Sequence, residues 1–372
     1  MHSSPNSDLS TLDRAILHTV LYADIFDYPL TAPEIHRYLT GLSASLETVE
    51  SALPAPSASC RGDTCAALRS SQCRCGAQAA RSGLAGVLRR LGDYYVLPGR
   101  EGIISTRQRR QAIAARLWPH ALHFGALIAG LPFVRMVAVT GSLAMDNVEN
   151  NADLDYLIVT TPGRLWLCRA LILALGRLAV FQGVRLCPNY IISQRALEFP
   201  AHNIYAAHEL AQMVPISGME VYDRIRVLNP WMEHFLPNAH GAPLRELAAA
   251  STSTLAPHSR KDTGMICVWC SAGVAPRPHG AAWLPPRLRA GGMALRPHGA
   301  AWLEALLLTP PGAWLEKWEM DRKIRRLRRE NGDNPEASFS ADLCKGHSHR
   351  HGQKTEQVLR QKLESVLIET IP

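Results

Sequence analysis

The sequence predicts an α+β fold, and three observations carry that expectation. An apolar run, Val137-Ala138-Val139, leads into Gly141-Ser142, where a short helix can start. A second apolar run, Leu154 to Val159, carries Asp153 and Asp155 at its start. Helical spacing marks both ends of the chain: Leu12, Ile16, Val20 and Leu21 on one side, Leu315, Ile324 and Leu327 on the other. Strands in the middle with helices around them describe a mixed sheet covered by helices.

Residues 1–100 form the first expected module. The helix containing Leu12 to Leu21 ends at Tyr28-Pro29. Thr31 with Glu34 three residues later is a capping-box pattern and starts a second helix carrying Ile35, Tyr38 and Leu39. A third starts near Ser45, with Leu46, Val49 and Leu53. Asp93 to Arg100 reads as a short strand closing in a turn. Three helices followed by a strand resemble a winged helix-turn-helix domain; a small helical docking module is the other reading. The module is interrupted at 54–82, where Leu68 is the one large aliphatic residue and Ala, Ser, Gly, Arg and Cys make up most of the rest. Such a segment buries too little apolar surface to offset its ordering entropy. Cys60, Cys65, Cys73 and Cys75 within it match no zinc spacing and read as part of an insertion.

A linking helix is expected over 101–131, with Arg107, Arg109 and Arg110 leading into an apolar face of Ile113, Leu117, Leu122 and Leu127. The core spans 132–240. It includes a helix at Leu165–Phe181, a strand at Val184–Ile192 and a helix within 203–214. An Ala/Pro/Gly/Arg-rich segment of low order covers 241–312 and holds a duplicated octapeptide, at Arg277–Leu284 and again at Arg296–Leu303. Residues 313–372 form a helical C-terminal region. There Trp314, Leu315, Trp318, Ile324 and Leu327 are expected to share one face, with arginines on the others. A last helix is expected from Gln353 to Ile368.

Forty Lys and Arg against thirty-two Asp and Glu give a net charge of +8, a balance that suits an anionic partner such as a nucleotide or nucleic acid. Nine cysteines at irregular spacing do not form a disulfide framework. The start of the chain lacks the basic and apolar regions of a signal peptide, so a cytoplasmic location is expected. The most apolar stretch, Leu165 to Phe181, contains Arg169 and Arg177, which are costly in lipid. It reads as a helix packed on a sheet, and no membrane span is expected.

Chemistry concentrates in two places. Glycine at 141 lets the backbone turn sharply and lets a phosphate approach closely, and Ser142 adds a hydroxyl. Asp153 and Asp155, two apart in a strand, point to the same side. Two ionised carboxylates that close repel by roughly 1 to 4 kcal/mol. A divalent cation such as magnesium relieves the repulsion, since it takes oxygen ligands and pairs with nucleotide phosphates.

Gly141-Ser142, ten intervening residues, then Asp153-Leu154-Asp155 between apolar positions resembles the signature of the DNA polymerase β nucleotidyltransferase superfamily. The resemblance implies a mixed-sheet nucleotidyltransferase core, with Gly141 and Ser142 positioning a nucleoside triphosphate. It implies that Asp153 and Asp155 are the catalytic pair and ligate Mg²⁺ (or Mn²⁺). The implied activity is transfer of a nucleoside monophosphate from the triphosphate to an acceptor. The alternative is a non-catalytic nucleotide- or DNA-binding regulator on the same core, with nucleic acid bound through the N-terminal module. The family usually adds a third carboxylate on a later strand, yet no Asp or Glu occurs between Tyr156 and Leu197, and Asn189 stands where an acid is expected. Asp146, Glu149, Glu198 and Glu209 are the acids that can substitute.

Lesser signals are His208, Glu209 and Gln212, either facing the cleft or on a half-exposed helix, and the Cys344–His351 run. That run holds one thiol and three imidazoles and reads as a polar turn, a zinc site or a phosphate contact. Cys267 and Cys270 lack a second pair. The arginine-rich stretch 322–329 is a solvated face or a nucleic-acid contact.

Overall fold

Ser10 opens the first helix. Its hydroxyl accepts from Asp13 N at 3.1 Å while the Asp13 carboxylate accepts from Ser10 N, the reciprocal cap that fixes the first turn of α1 (Thr11–Asp24). The computed structural model describes residues 9–55, 83–150, 152–241, 243, 298–332, 334, 336–346 and 351–370. The second cap forms as its spacing predicts: Thr31 N and its hydroxyl donate to Glu34 at 2.8 and 2.9 Å at the start of α2 (Ala32–Arg37). Ser45 begins α3 (Leu46–Ala52). The strand expected near 93–100 is β3 (Tyr94–Val96), with two partners that the pattern did not announce. β2 (Arg89–Leu91) pairs with it across a tight turn at Gly92, whose φ of 61° suits glycine, and two-residue β1 (Leu30–Thr31) pairs on its other side. The low-complexity insertion with its four cysteines, the Cys267/Cys270 pair and the first copy of the octapeptide lie outside the described residues.

The linking helix α4 (Ile103–Ala129) buries Ile113, Ala114, Trp118, Ala121, Phe124 and Ile128 against the central sheet. Leu127, expected on that face, is 43% exposed; at 100° per residue it falls outside the arc set by buried Ala114, Trp118, Ala121 and Ile128. Arg107, expected merely to lead into the helix, is buried. Its guanidinium grips both Glu34 carboxylate oxygens, at 2.8 and 2.7 Å, and stacks 4.2 Å from the Tyr28 ring. Burial alone would raise the Glu34 carboxyl; Arg107 overrides it and holds it below the usual carboxylate range.

The central sheet has six strands in the order β7-β4-β5-β6-β9-β8: β4 (Val134–Val139), β5 (Leu154–Thr160), β6 (Leu186–Ser193), β7 (Val214–Ser217), β8 (Ser338–Phe339) and β9 (Leu343–Lys345). Among these strands only β5 and β6 run parallel, and α6 (Leu165–Val180) is the crossover between them; α5 (Gly141–Ala144) lies between β4 and β5. Both faces are covered. Leu154, Tyr156 and Ile158 pack with α4 and α6; Leu157 and Val159 pack with α7 (Ile204–Gln212), α8 (Met219–Leu228) and α9 (Met232–Phe235). Leu154 therefore lies on the face opposite Asp155.

Both edges of the sheet come from segments whose pattern reads otherwise. β7 begins right after α7 and includes Pro215, which an edge strand tolerates because one side needs no ladder donor. β8 and β9 come from the region expected to be all helical. Cys344, in the run read as a polar turn, a zinc site or a phosphate contact, is buried in β9 at 5% exposure, and burial pushes its thiol up. Residues 347–350 of the same run lie outside the described residues.

Helices α10 (His298–Leu307), α11 (Pro310–Asn331) and α12 (His351–Thr370) complete the chain. Buried Glu316 of α11 accepts from Trp166 N and Leu167 N, at 2.9 and 2.8 Å, capping α6. Trp314 and Trp318 do not share the buried face of α11; they are 66% and 49% exposed. α12 returns to the N-terminal module, where Lys362 meets Asp24 at 2.5 Å. No described helix is long and apolar enough to cross a membrane.

Candidate active site

β4 ends at Thr140, and the chain turns at Gly141 with φ of 64°. The turn sets the Gly141 backbone directly against Asp155. A Cβ at position 141 would lie 2.6 Å from Asp155 Oδ2 and 3.3 Å from its Cβ and Cγ. Thr140 N donates to Asp155 O at 3.0 Å, fixing the approach. The Gly-Ser corner and the second acid of the pair are thus adjacent, and Ser142 is exposed beside them. Gly141→Ala meets two penalties, an unfavourable left-handed φ and a carboxylate in the way. It is expected to destabilise the chain by about 1–3 kcal/mol in urea denaturation; a loss under about 0.5 kcal/mol would contradict the packing.

Asp155 lies in β5 and Asp153 just before its first residue, near enough for the Asp153 charge to act on Asp155, but the two meet different surroundings. Asp153 is exposed and ion-paired with Arg185 at 2.8 Å. Asp155 is half-buried and has no cation within ion-pair distance among the described residues. Its carboxyl is raised to about 6, mainly by burial and further by the Asp153 charge, while a bond from the Cys187 thiol opposes the rise. Burial and the Asp155 charge push the thiol itself up to about 12.

The strand register explains that neighbour. Asp155 pairs with Cys187 and Leu157 with Tyr190, so two residues of β6 bulge opposite one of β5. Cys187, not Asn189, therefore faces the acid pair. Asn189 sits in the bulge, 9% exposed, with its Oδ1 lacking a donor among the described residues.

The four acids that can substitute for a third carboxylate meet different surroundings. Of the four substitute acids, Asp146 accepts from Trp118 Nε1 at 2.6 Å, Glu149 is paired with Arg110 at 2.5 Å, and Glu198 is exposed. Glu209 on α7 is within reach of the Asp155 charge: burial and then that charge raise its carboxyl to about 7, with Lys345 of β9 opposing. Tyr205, one turn earlier on α7, is raised far above the usual phenol range by the Glu209 charge first and burial second. His208 turns away from this group. It is buried, stacked on Tyr22 of α1 at 3.9 Å, and lowered to about 3 by burial and by His18, so it stays neutral and serves packing. Lys345, whose ammonium lies 5.4 Å from the Tyr190 ring, was invisible to pattern reasoning because β9 was not anticipated.

The donors at this place are all carboxylate oxygens, which suits magnesium or manganese. The half-buried, unpaired Asp155 and the raised Glu209 are also what a cation would relieve. No three His, Cys, Asp or Glu side chains converge on one point among the described residues, and Arg185 holds Asp153; loading requires Arg185 to release it.

These shifts set a pH dependence. Both carboxyls have folded values above their ordinary ones, 3.8 and 4.5, so the native state binds more protons than the unfolded chain between about pH 4 and about pH 7. Metal-free stability therefore falls as pH rises through that window. Glu209→Gln should be more stable than the parent at pH 8 by on the order of 2 kcal/mol, and equal to it at pH 4. Equal stability at both pH values would show that Glu209 is not held beside Asp155.

No family model matches this sequence, and no curated protein and no solved structure matches it significantly.

Proposed function

We propose that the chain is a nucleotidyltransferase that moves a nucleoside monophosphate from a nucleoside triphosphate to an acceptor hydroxyl and releases pyrophosphate. The supporting observation is the direct packing of Gly141 on Asp155, with Glu209 near enough to be raised by the charge of that carboxylate. In this reading Gly141 and Ser142 receive the triphosphate, and Lys345 adds positive charge at the same place. Asp153 and Asp155 hold Mg²⁺ or Mn²⁺, which when bound offsets negative charge on the phosphoryl oxygens.

The acceptor oxygen bonds to the α-phosphorus as the bond to the bridging oxygen of the β-phosphate breaks, and pyrophosphate leaves with that electron pair. Glu209 takes the acceptor proton as general base. The Cys187 thiol donates to Asp155 and orients it.

The N-terminal module follows the element order of a winged helix, but α3 presents Glu47 and Glu50 to solvent and contains no Lys or Arg. Such a helix repels phosphate, so the module is read as a docking element and a wall of the site. The second reading, a non-catalytic nucleotide-binding regulator, rests on Arg185, which neutralises Asp153 where a metal would otherwise be needed.

Incubation with α-phosphate-labelled nucleoside triphosphates, magnesium and fractionated cell extract separates the two. A labelled acceptor with released pyrophosphate is the expected result; nucleotide binding without either supports the regulator.

A further inference from the structure

Helix α11 carries the most cationic stretch of the described chain, with Lys317, Arg322, Lys323, Arg325, Arg326, Arg328 and Arg329 inside 22 residues. At 100° per residue, Trp314, Lys317, Trp318, Arg322, Arg325, Arg328 and Arg329 fall on one side, and all seven are exposed. Asp321 is the one acid among them. Arg322 is held by Glu319 at 2.6 Å and Arg326 by Glu330 at 2.5 Å. Lys317, Arg325, Arg328 and Arg329 have no ion-pair partner among the described residues.

The two tryptophans are unusual for a solvated face. Their rings are nearly parallel, with planes 16° apart and centroids separated by 6.5 Å. That separation is about twice the ~3.4 Å rise between stacked nucleotides on one strand. Arg322 lies 5.1 Å from the Trp318 ring and extends the line of flat groups toward the arginines. Large exposed aromatic rings in line with unpaired guanidinium groups match a ligand with flat faces and regularly spaced negative charge.

We infer that this stripe of α11 binds single-stranded nucleic acid, with bases stacking at Trp314 and Trp318 and the backbone phosphates following Arg325, Arg328 and Arg329. Ring spacing and charge favour a single strand over a duplex, whose bases are not free to stack on side chains. They also favour it over a lipid surface, which has no use for parallel rings. The stripe lies on the helix that packs with α6, on the sheet face opposite Asp155, so it stands whether or not the core transfers nucleotides.

The test uses the full chain and a fluorescein-labelled single-stranded oligouridylate, followed by anisotropy across a salt series. Duplex DNA and phosphatidylserine vesicles are run in parallel. Trp314→Ala/Trp318→Ala should weaken oligonucleotide binding at least about tenfold without changing the salt slope. Arg325→Ala/Arg329→Ala should weaken it and make the slope of log K against log salt shallower by about 1.4, which is about 0.7 for each phosphate that is no longer neutralised. All four side chains are exposed, so unchanged circular dichroism and melting temperature are expected for both variants. No oligonucleotide binding, binding by both variants equal to that of the parent, or binding confined to the duplex or the vesicles would each overturn the assignment.

Discussion

Asp155→Asn is expected to reduce nucleotidyl transfer to background, and Glu209→Gln to lower kcat by about a hundred- to ten-thousandfold. The two substitutions act on different steps. Asp155 is the half-buried, unpaired member of the acid pair packed on Gly141, so neutralising it removes the charge that a nucleotide-bound cation would meet. Glu209, which the Asp155 charge reaches, is the base that accepts the acceptor proton. Removing the base should leave nucleotide affinity within about threefold while flattening the rise of kcat with pH. Both variants lose a destabilising buried charge, so both should gain stability at pH 8 while losing activity. That opposition separates a functional role from simple damage to the fold. An active Asp155→Asn enzyme would remove the acid pair from the mechanism. A Glu209→Gln enzyme with unchanged kcat would mean that the acceptor proton leaves by another route.

Arg107→Ala should cost about 3–5 kcal/mol of unfolding free energy in urea titrations. Arg107 reaches from α4 into the N-terminal module, bonds both oxygens of Glu34, donates to Pro29 O, and lies against Tyr28 and Tyr94. Deleting it leaves the Glu34 carboxylate buried with only Thr31 and Tyr28 as donors, an uncompensated charge at the joint between module and core. Arg107→Lys should recover only part of the loss, because an ammonium cannot bond both oxygens in the plane of the fork. A cost below about 1 kcal/mol for Arg107→Ala would show that the joint is held elsewhere.

The elements legible in the sequence are those fixed by local chemistry. Thr31 and Glu34 announce a helix start because the cap lies within one turn, and both form it. The turn at Gly141 follows from glycine's freedom, and the two-residue period of β5 sets Asp155 on the face opposite Leu154, whereas Asp153 lies just outside the strand. What stayed hidden depends on distant partners. β7, β8 and β9 are two to four residues long and gain their hydrogen bonds from strands far away in sequence, so no period marks them. Asn189 stands where an acid is expected on the third strand, but the bulge in β6 sets Cys187, not Asn189, opposite Asp155, and no pattern in the sequence marks a bulge. Glu209 was one of four open choices, since a helix brings it to Asp155 across the sheet face. Trp314 and Trp318 are expected on one face with Leu315, Ile324 and Leu327, yet at 100° per residue they fall roughly opposite buried Glu316 and Glu319 and remain in water.

Isothermal titration of each ribonucleoside triphosphate into the protein, with magnesium and again with chelator, tests the site most directly. Association that requires the divalent ion and disappears in Asp153→Asn/Asp155→Asn is the expected result. Equal association with or without the ion, or association that survives in the double variant, would contradict a metal-nucleotide site at Gly141 and Asp155.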